Sequence, residues 1–133
     1  MKRVFILALL GWLVAGGDHR MAWAEAGAGD PDRGAKIYER CIACHSLTRN
    51  RTGPKHCGLF GRTAGTVEGY RYSPAMRESG IVWTEATLDA FLESPRTAVP
   101  RTKMGYAGIK YPQERADLVA YLKRENAPGG ACS

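Results

Sequence analysis

The 133-residue chain lacks several things that whole classes of protein need. No stretch alternates apolar and polar residues as a half-buried strand does, which argues against a sheet-based fold. No apolar run reaches the ~18–20 residues needed to span a bilayer. No basic run is interleaved with aromatics, so a nucleic-acid surface has no footprint. Internal repeats and low-complexity segments are absent too. Histidines number three and cysteines four, so any metal or thiol chemistry must come from a short roster.

Against that sparse background one pentapeptide stands out, Cys41-Ile42-Ala43-Cys44-His45. It reads C-x-x-C-H, the spacing that attaches a c-type haem. Two thiols three positions apart on a helical turn lie on nearly one face, so both can reach the vinyl groups of one porphyrin. The residue after the second Cys then points its imidazole at the iron, making His45 the proximal ligand. Two competing readings are a thioredoxin-like dithiol and half of a zinc site. The first belongs in a strand–helix–strand setting that this chain does not show. The second needs another ligand pair, whereas Cys57 and Cys132 stand alone and far apart.

The chain opens Met1-Lys2-Arg3, followed by an apolar run over 4–15. A basic start before a run of this size predicts a secretory signal rather than a span. Ala22-Trp23-Ala24 is a small-x-small cleavage site, predicting a signal over 1–24 and one domain over 25–133; an uncleaved anchor is the alternative. The whole chain carries +6, and loss of 1–24 leaves about +4. That excess suits acidic protein partners or a membrane surface.

Punctuation along the chain predicts helices joined by loops. Asp30-Pro31 reads as an N-cap and first helical residue, with Gly34, Ile37 and Tyr38 recurring at helical spacing up to the motif. The segment 48–69 reads as loop. Ser73-Pro74 starts a short helix ending by Gly80. Thr84 caps a helix to about Glu93, with Leu88, Phe91 and Leu92 inward, and Pro95 stops it. Pro112 opens a last helix to about Glu125, with Ala116, Val119, Ala120 and Leu122 inward. The expected fold is all-α: a small single domain of helices and loops wrapped round one haem.

The sixth iron ligand decides what such a protein does. Past residue 24 the candidates are Met76, Met104 and His56. Met104 lies on a loop introduced by Pro100, which can aim a thioether across a haem. Thioether ligation raises the reduction potential and fills the coordination shell. Met76, on the short helix, reads as packing near the haem edge. His56, in a Gly/Pro loop, reads as a solvated surface residue.

The chain resembles the class I cytochromes c, the mitochondrial and bacterial c2-like group. The motifs are Gly34-x-x-x-Tyr38, Cys41 to His45, Gly53-Pro54, Gly61-Arg62-x-x-Gly65, Gly69-Tyr70-x-Tyr72 and Gly80-Ile81-Val82-Trp83. They continue through Pro100 with Thr102-Lys103-Met104, Ala107-Gly108-Ile109 and the run from Glu114 to Leu122. The resemblance implies that the Pro54 carbonyl accepts from His45 Nδ1–H, orienting the ligating ring. It also implies that Tyr72 and Trp83 bond a haem propionate with Arg62 nearby, and that Gly34 and Tyr38 meet Leu118 and Tyr121 where the first and last helices cross.

The chain departs from the family pattern at several places. Arg101 stands where the family usually has Gly, Phe91 where Tyr is common, Met76 where Asn is frequent, and Tyr106 where Phe is usual. Cys57 and Cys132 fall outside the family's core pattern. In an oxidising compartment they are expected to pair, two free thiols being the alternative.

The function these residues imply is a soluble periplasmic one-electron carrier, not an enzyme, with one covalent haem c and His45/Met104 axial ligation. Its partners would be redox proteins with acidic docking faces (a reductase, oxidase or dehydrogenase of a respiratory chain), with transient contact to membrane complexes, and the carrier itself a monomer. Arg40, Arg51, Arg96, Arg101, Lys103 and Lys110 resemble the family's basic ring, which would steer such partners at a rate that falls with salt. The competing class is a haem enzyme or gas sensor, which needs an open distal position and a distal acid–base group.

Overall fold

Asp30 begins the first helix as its sequence predicts: its carboxylate accepts from the Asp32 and Arg33 backbone N–H groups, and Pro31 takes the first position. The computed structural model describes residues 27–133, so the expected signal segment 1–24 lies outside the described residues. Five helices follow in chain order: α1 (Pro31–Tyr38), α2 (Pro74–Arg77), α3 (Glu85–Glu93), α4 (Pro95–Ala98) and α5 (Pro112–Glu125). No strand forms among the described residues; a single bridge joins Thr63 to Val82. The all-α expectation holds.

Helix α1 crosses α5, and α3 packs on both α5 and α4. Gly34 makes the crossing possible. A Cβ there would lie 2.0 Å from the Asp117 carbonyl oxygen and 2.6 Å from Tyr121 Cβ. Tyr38 meets Tyr121 at a ring separation of 5.1 Å. Leu118, 1% exposed, sits at the centre of the core with Ile37, Phe91, Leu92 and Leu122. Burying one such side chain contributes about 2 kcal/mol.

Two details differ from the sequence reading. Pro95 ends α3 and also opens α4, because its fixed φ and missing N–H suit a first helical position as well as they break a preceding turn. On α5 Val119 and Leu122 are buried as expected, but Ala116 and Ala120 are only half-buried, while Arg115 and Asp117 face inward. Both inward charges are paired. Asp117 takes a two-pronged contact from Arg33 at 2.7 and 2.9 Å, with further bonds from the Asp30 N–H and Gln113. Arg115 donates to Asp89 at 2.8 Å and to the Ile109 and Lys110 carbonyls.

A disulfide joins Cys57 to Cys132 with the two Cα atoms 5.2 Å apart, tying the loop after the C-x-x-C-H motif to the chain end.

Candidate functional site

The C-x-x-C-H motif rides on turns that continue α1. The Cys41 N–H donates to the Tyr38 carbonyl at 2.8 Å, and the His45 N–H to the Cys41 carbonyl at 2.8 Å. This winding brings the two unpaired thiols and the imidazole to one wall of a cavity. Burial pushes the Cys41 thiol above its ordinary pKa. Gly53 and Pro54 then fold back on the motif, the Gly53 N–H donating to the Cys44 carbonyl at 2.7 Å. A Cβ at Gly53 would lie 2.3 Å from His45 Cε1, so only glycine fits over that ring.

His45 Nδ1 donates to the Pro54 carbonyl at 2.8 Å. A carbonyl only accepts, so the bond places the proton on Nδ1 and leaves the Nε2 lone pair free. Burial lowers the His45 pKa and so favours the neutral ring, against the opposing pull of the Pro54 carbonyl.

The cavity measures about 580 Å³, within the ~300–1,000 Å³ typical of ligand sites. All eight residues expected from the sequence line it: Cys41, Cys44, His45, Pro54, Arg62, Tyr72, Trp83 and Met104. Arg62 and Trp83 arrive together because their segments bond to each other, Trp83 N–H to the Arg62 carbonyl at 3.0 Å and Gly61 N–H to the Trp83 carbonyl at 2.8 Å. The Arg62 guanidinium donates to the carbonyls of Cys57 and Lys55. Burial raises the Tyr72 phenol, while the Arg62 charge pulls the other way. Trp83 stands edge-on to Phe91 at 5.2 Å.

Met104 is held from both sides of its loop. Before it, the Thr102 N–H donates to Val99 and Arg101 adopts φ +68°, the left-handed region that glycine occupies without cost. After it, the Ile109 N–H donates to Leu92, and the buried Arg115 grips the Ile109 and Lys110 carbonyls. Arg115 is a positioning residue that sequence reading did not single out. Met76, 7% exposed, packs into the core as a cavity wall.

His56 is not the solvated surface residue its loop suggests. Its N–H bonds the Ser46 and Leu47 carbonyls, which turns the chain back and lays its ring on His45, centroids 4.4 Å apart and planes 25° from parallel. Its Nδ1 lies 3.1 Å from the Tyr38 hydroxyl. Burial, helped by the nearby His45 and Arg62, pushes its pKa down to about 3. Arg40 also departs from expectation, because both its terminal nitrogens bond the Glu114 carboxylate and its charge is largely spent.

An apolar cavity with two thiols and a free imidazole nitrogen on one wall, a thioether on a braced loop and Arg, Tyr and Trp donors fits a covalently joined haem. The comparisons agree. The family model for cytochrome c matches residues 31–125. Cytochrome c2 of Blastochloris viridis is 43% identical over 109 residues, covering 80% of this chain and 86% of that one. Cytochrome c of Euglena viridis is 49% identical over 98 residues, covering 71% of this chain and 96% of its own. The solved structure of cytochrome cH from Methylobacterium extorquens superposes with a TM-score of 0.70 at 41% identity, over 71% of this chain and 98% of that chain. With the match spanning most of the chain and relatives this similar on both sides of the alignment, the protein belongs to the cytochrome c family of electron carriers, which bind a covalently attached haem c.

Proposed function

We propose that this protein is a periplasmic one-electron carrier in which Cys41 and Cys44 hold the haem through thioethers while His45 Nε2 and Met104 Sδ take the axial positions. The observation that carries the reading is the 2.8 Å bond from His45 Nδ1 to Pro54, which leaves Nε2 as a ready donor beside two unpaired thiols. When bound, the haem supplies a reversible one-electron iron couple.

The residues of this chain divide the remaining work. The Pro54 carbonyl orients the His45 ring and strengthens it as a donor. Met104 would give the iron a second protein ligand, which would leave no open site for oxygen or peroxide. Arg62, Tyr72 and Trp83 offer positive charge and N–H or O–H donors to the propionates, whose burial unpaired would be costly.

Arg51, Arg96, Arg101, Lys103 and Lys110 are exposed, and with the net positive charge they suit a weak, quickly released acidic partner. Arg40 contributes less, because Glu114 offsets it. The basic start, the apolar run over 4–15 and the Cys57–Cys132 disulfide all favour an oxidising compartment outside the cytoplasm. Among the described residues no helix is long and apolar enough to cross a membrane.

The test is the absorption of the oxidised protein between red and near-infrared. A weak thioether-to-iron band is expected in the wild type and absent in Met104→Ala. Its absence from the wild type at neutral pH would reject Met104 as a ligand.

A further inference from the structure

Beside the axial imidazole lies a second imidazole that the electron-carrier reading leaves unused. A hydrogen bond such as His45 Nδ1–H to Pro54 fixes where one nitrogen points, but it tolerates departures to about 150° and so permits the ring to tilt. A flat ring stacked on it removes that freedom. His56 supplies this contact, at a centroid separation of 4.4 Å and a plane angle of 25°.

His56 is itself anchored. Its N–H donates to the Ser46 and Leu47 carbonyls at 3.1 Å each, and its Nδ1 meets the Tyr38 hydroxyl at 3.1 Å. Tyr38 is 4% exposed and belongs to the α1–α5 crossing, where its ring packs 5.1 Å from that of Tyr121. A continuous chain of contacts therefore runs from the helix crossing through Tyr38 and His56 to the face of His45. We propose that His56, tethered by Tyr38, is a positioning residue that fixes the plane of the His45 ring above the haem. This inference rests on His45 being the axial ligand.

With the thioether ligand unchanged, the plane of an axial imidazole helps set which iron d orbital would hold the unpaired electron of the oxidised state, and hence how spin density would spread over the four haem methyl groups. Proton NMR of the oxidised holoprotein reads that spread directly. His56→Leu, which keeps apolar bulk but loses the flat stack, should change the spread of the four methyl shifts. His56→Phe restores a flat ring and should return it close to wild type. Tyr38→Phe keeps the stack but cuts the tether, and should move the methyl shifts in the direction of His56→Leu by a smaller amount.

A wild-type spread in His56→Leu, even with a lowered denaturation midpoint, would reduce His56 to ordinary packing and overturn the proposal. So would a spread in His56→Phe as altered as that in His56→Leu. Should His56→Leu fail to accumulate, an unchanged spread in Tyr38→Phe overturns it instead. The wild-type spectrum separates this inference from the one beneath it: without strongly shifted low-spin haem methyls, the ligation of His45 and Met104 fails whatever His56 does.

Discussion

The Cys57–Cys132 bridge closes a loop of 75 residues, most of the described domain. Cutting it removes little from the folded state. The chain end stays held by the Cys132 N–H on the Glu125 carbonyl at 3.0 Å and the Ala131 N–H on the Glu125 carboxylate at 3.1 Å. The loop stays held by the Cys57 N–H on Leu47 at 2.8 Å and by Asn126 Oδ1 accepting from Gly58 at 2.7 Å. The effect therefore acts on the unfolded chain, where loss of a cross-link over a loop this long is worth about 4 kcal/mol. With a guanidinium slope of about 3 kcal/mol/M for a small domain, the midpoint falls by roughly 1 M. The assay is guanidinium unfolding of the holoprotein, followed by far-ultraviolet circular dichroism. Cys57→Ser, Cys132→Ser and the double variant should lose the same amount, since any one of them opens the bridge. A double variant that unfolds with the wild type would refute the reasoning. A Cys57→Ser loss far larger than that of Cys132→Ser would also refute it, because the cost would then be local to the loop beneath His45.

Two further outcomes follow from the α1–α5 crossing. Gly34→Ala places a methyl 2.0 Å from the Asp117 carbonyl oxygen, forces the helices apart and should cost about 3 kcal/mol in chemical denaturation; an unchanged midpoint would deny the close crossing. Asp117 has its carboxyl held down to about 2, chiefly by the Arg33 hydrogen bonds and then by Asp30 N–H and Gln113, with burial opposing. A depressed folded-state pKa means stability that is complete above the unfolded carboxyl value of about 4 and is lost as pH falls from about 4 toward 2. Asp117→Asn should thus flatten the acid limb of the stability–pH curve over that window, and a limb as steep as wild type would show that the pair does not contribute.

Helix starts were legible because capping and proline chemistry is local: Asp30-Pro31, Thr84 and Pro112 announce α1, α3 and α5 without reference to the rest of the chain. The site was legible for a related reason, since the haem motif is contiguous and the remaining lining residues come in short family motifs. What escaped depended on chain reversal. The ring of His56 is enclosed only because the loop after Gly53-Pro54 folds back on the motif, and nothing in Lys55-His56-Cys57 records that. The inward turn of Asp117 required Arg33, 84 positions away, and that of Arg115 required Asp89 on another helix. Arg40 looked like a free surface cation because its partner Glu114 lies 74 residues on. Arg101 in the left-handed region matches the expectation, from the family resemblance, of a position suited to glycine, and the strain of a side chain at φ +68° is stored beside Met104.

Carbon monoxide offered to the reduced holoprotein at neutral pH asks whether both axial positions are taken. A chain built only to pass electrons should leave the visible spectrum of the reduced wild type unchanged by the gas, while Met104→Ala should bind it. Ready binding by the wild type would mean an open metal face, and a gas-binding or catalytic haem protein in place of a carrier.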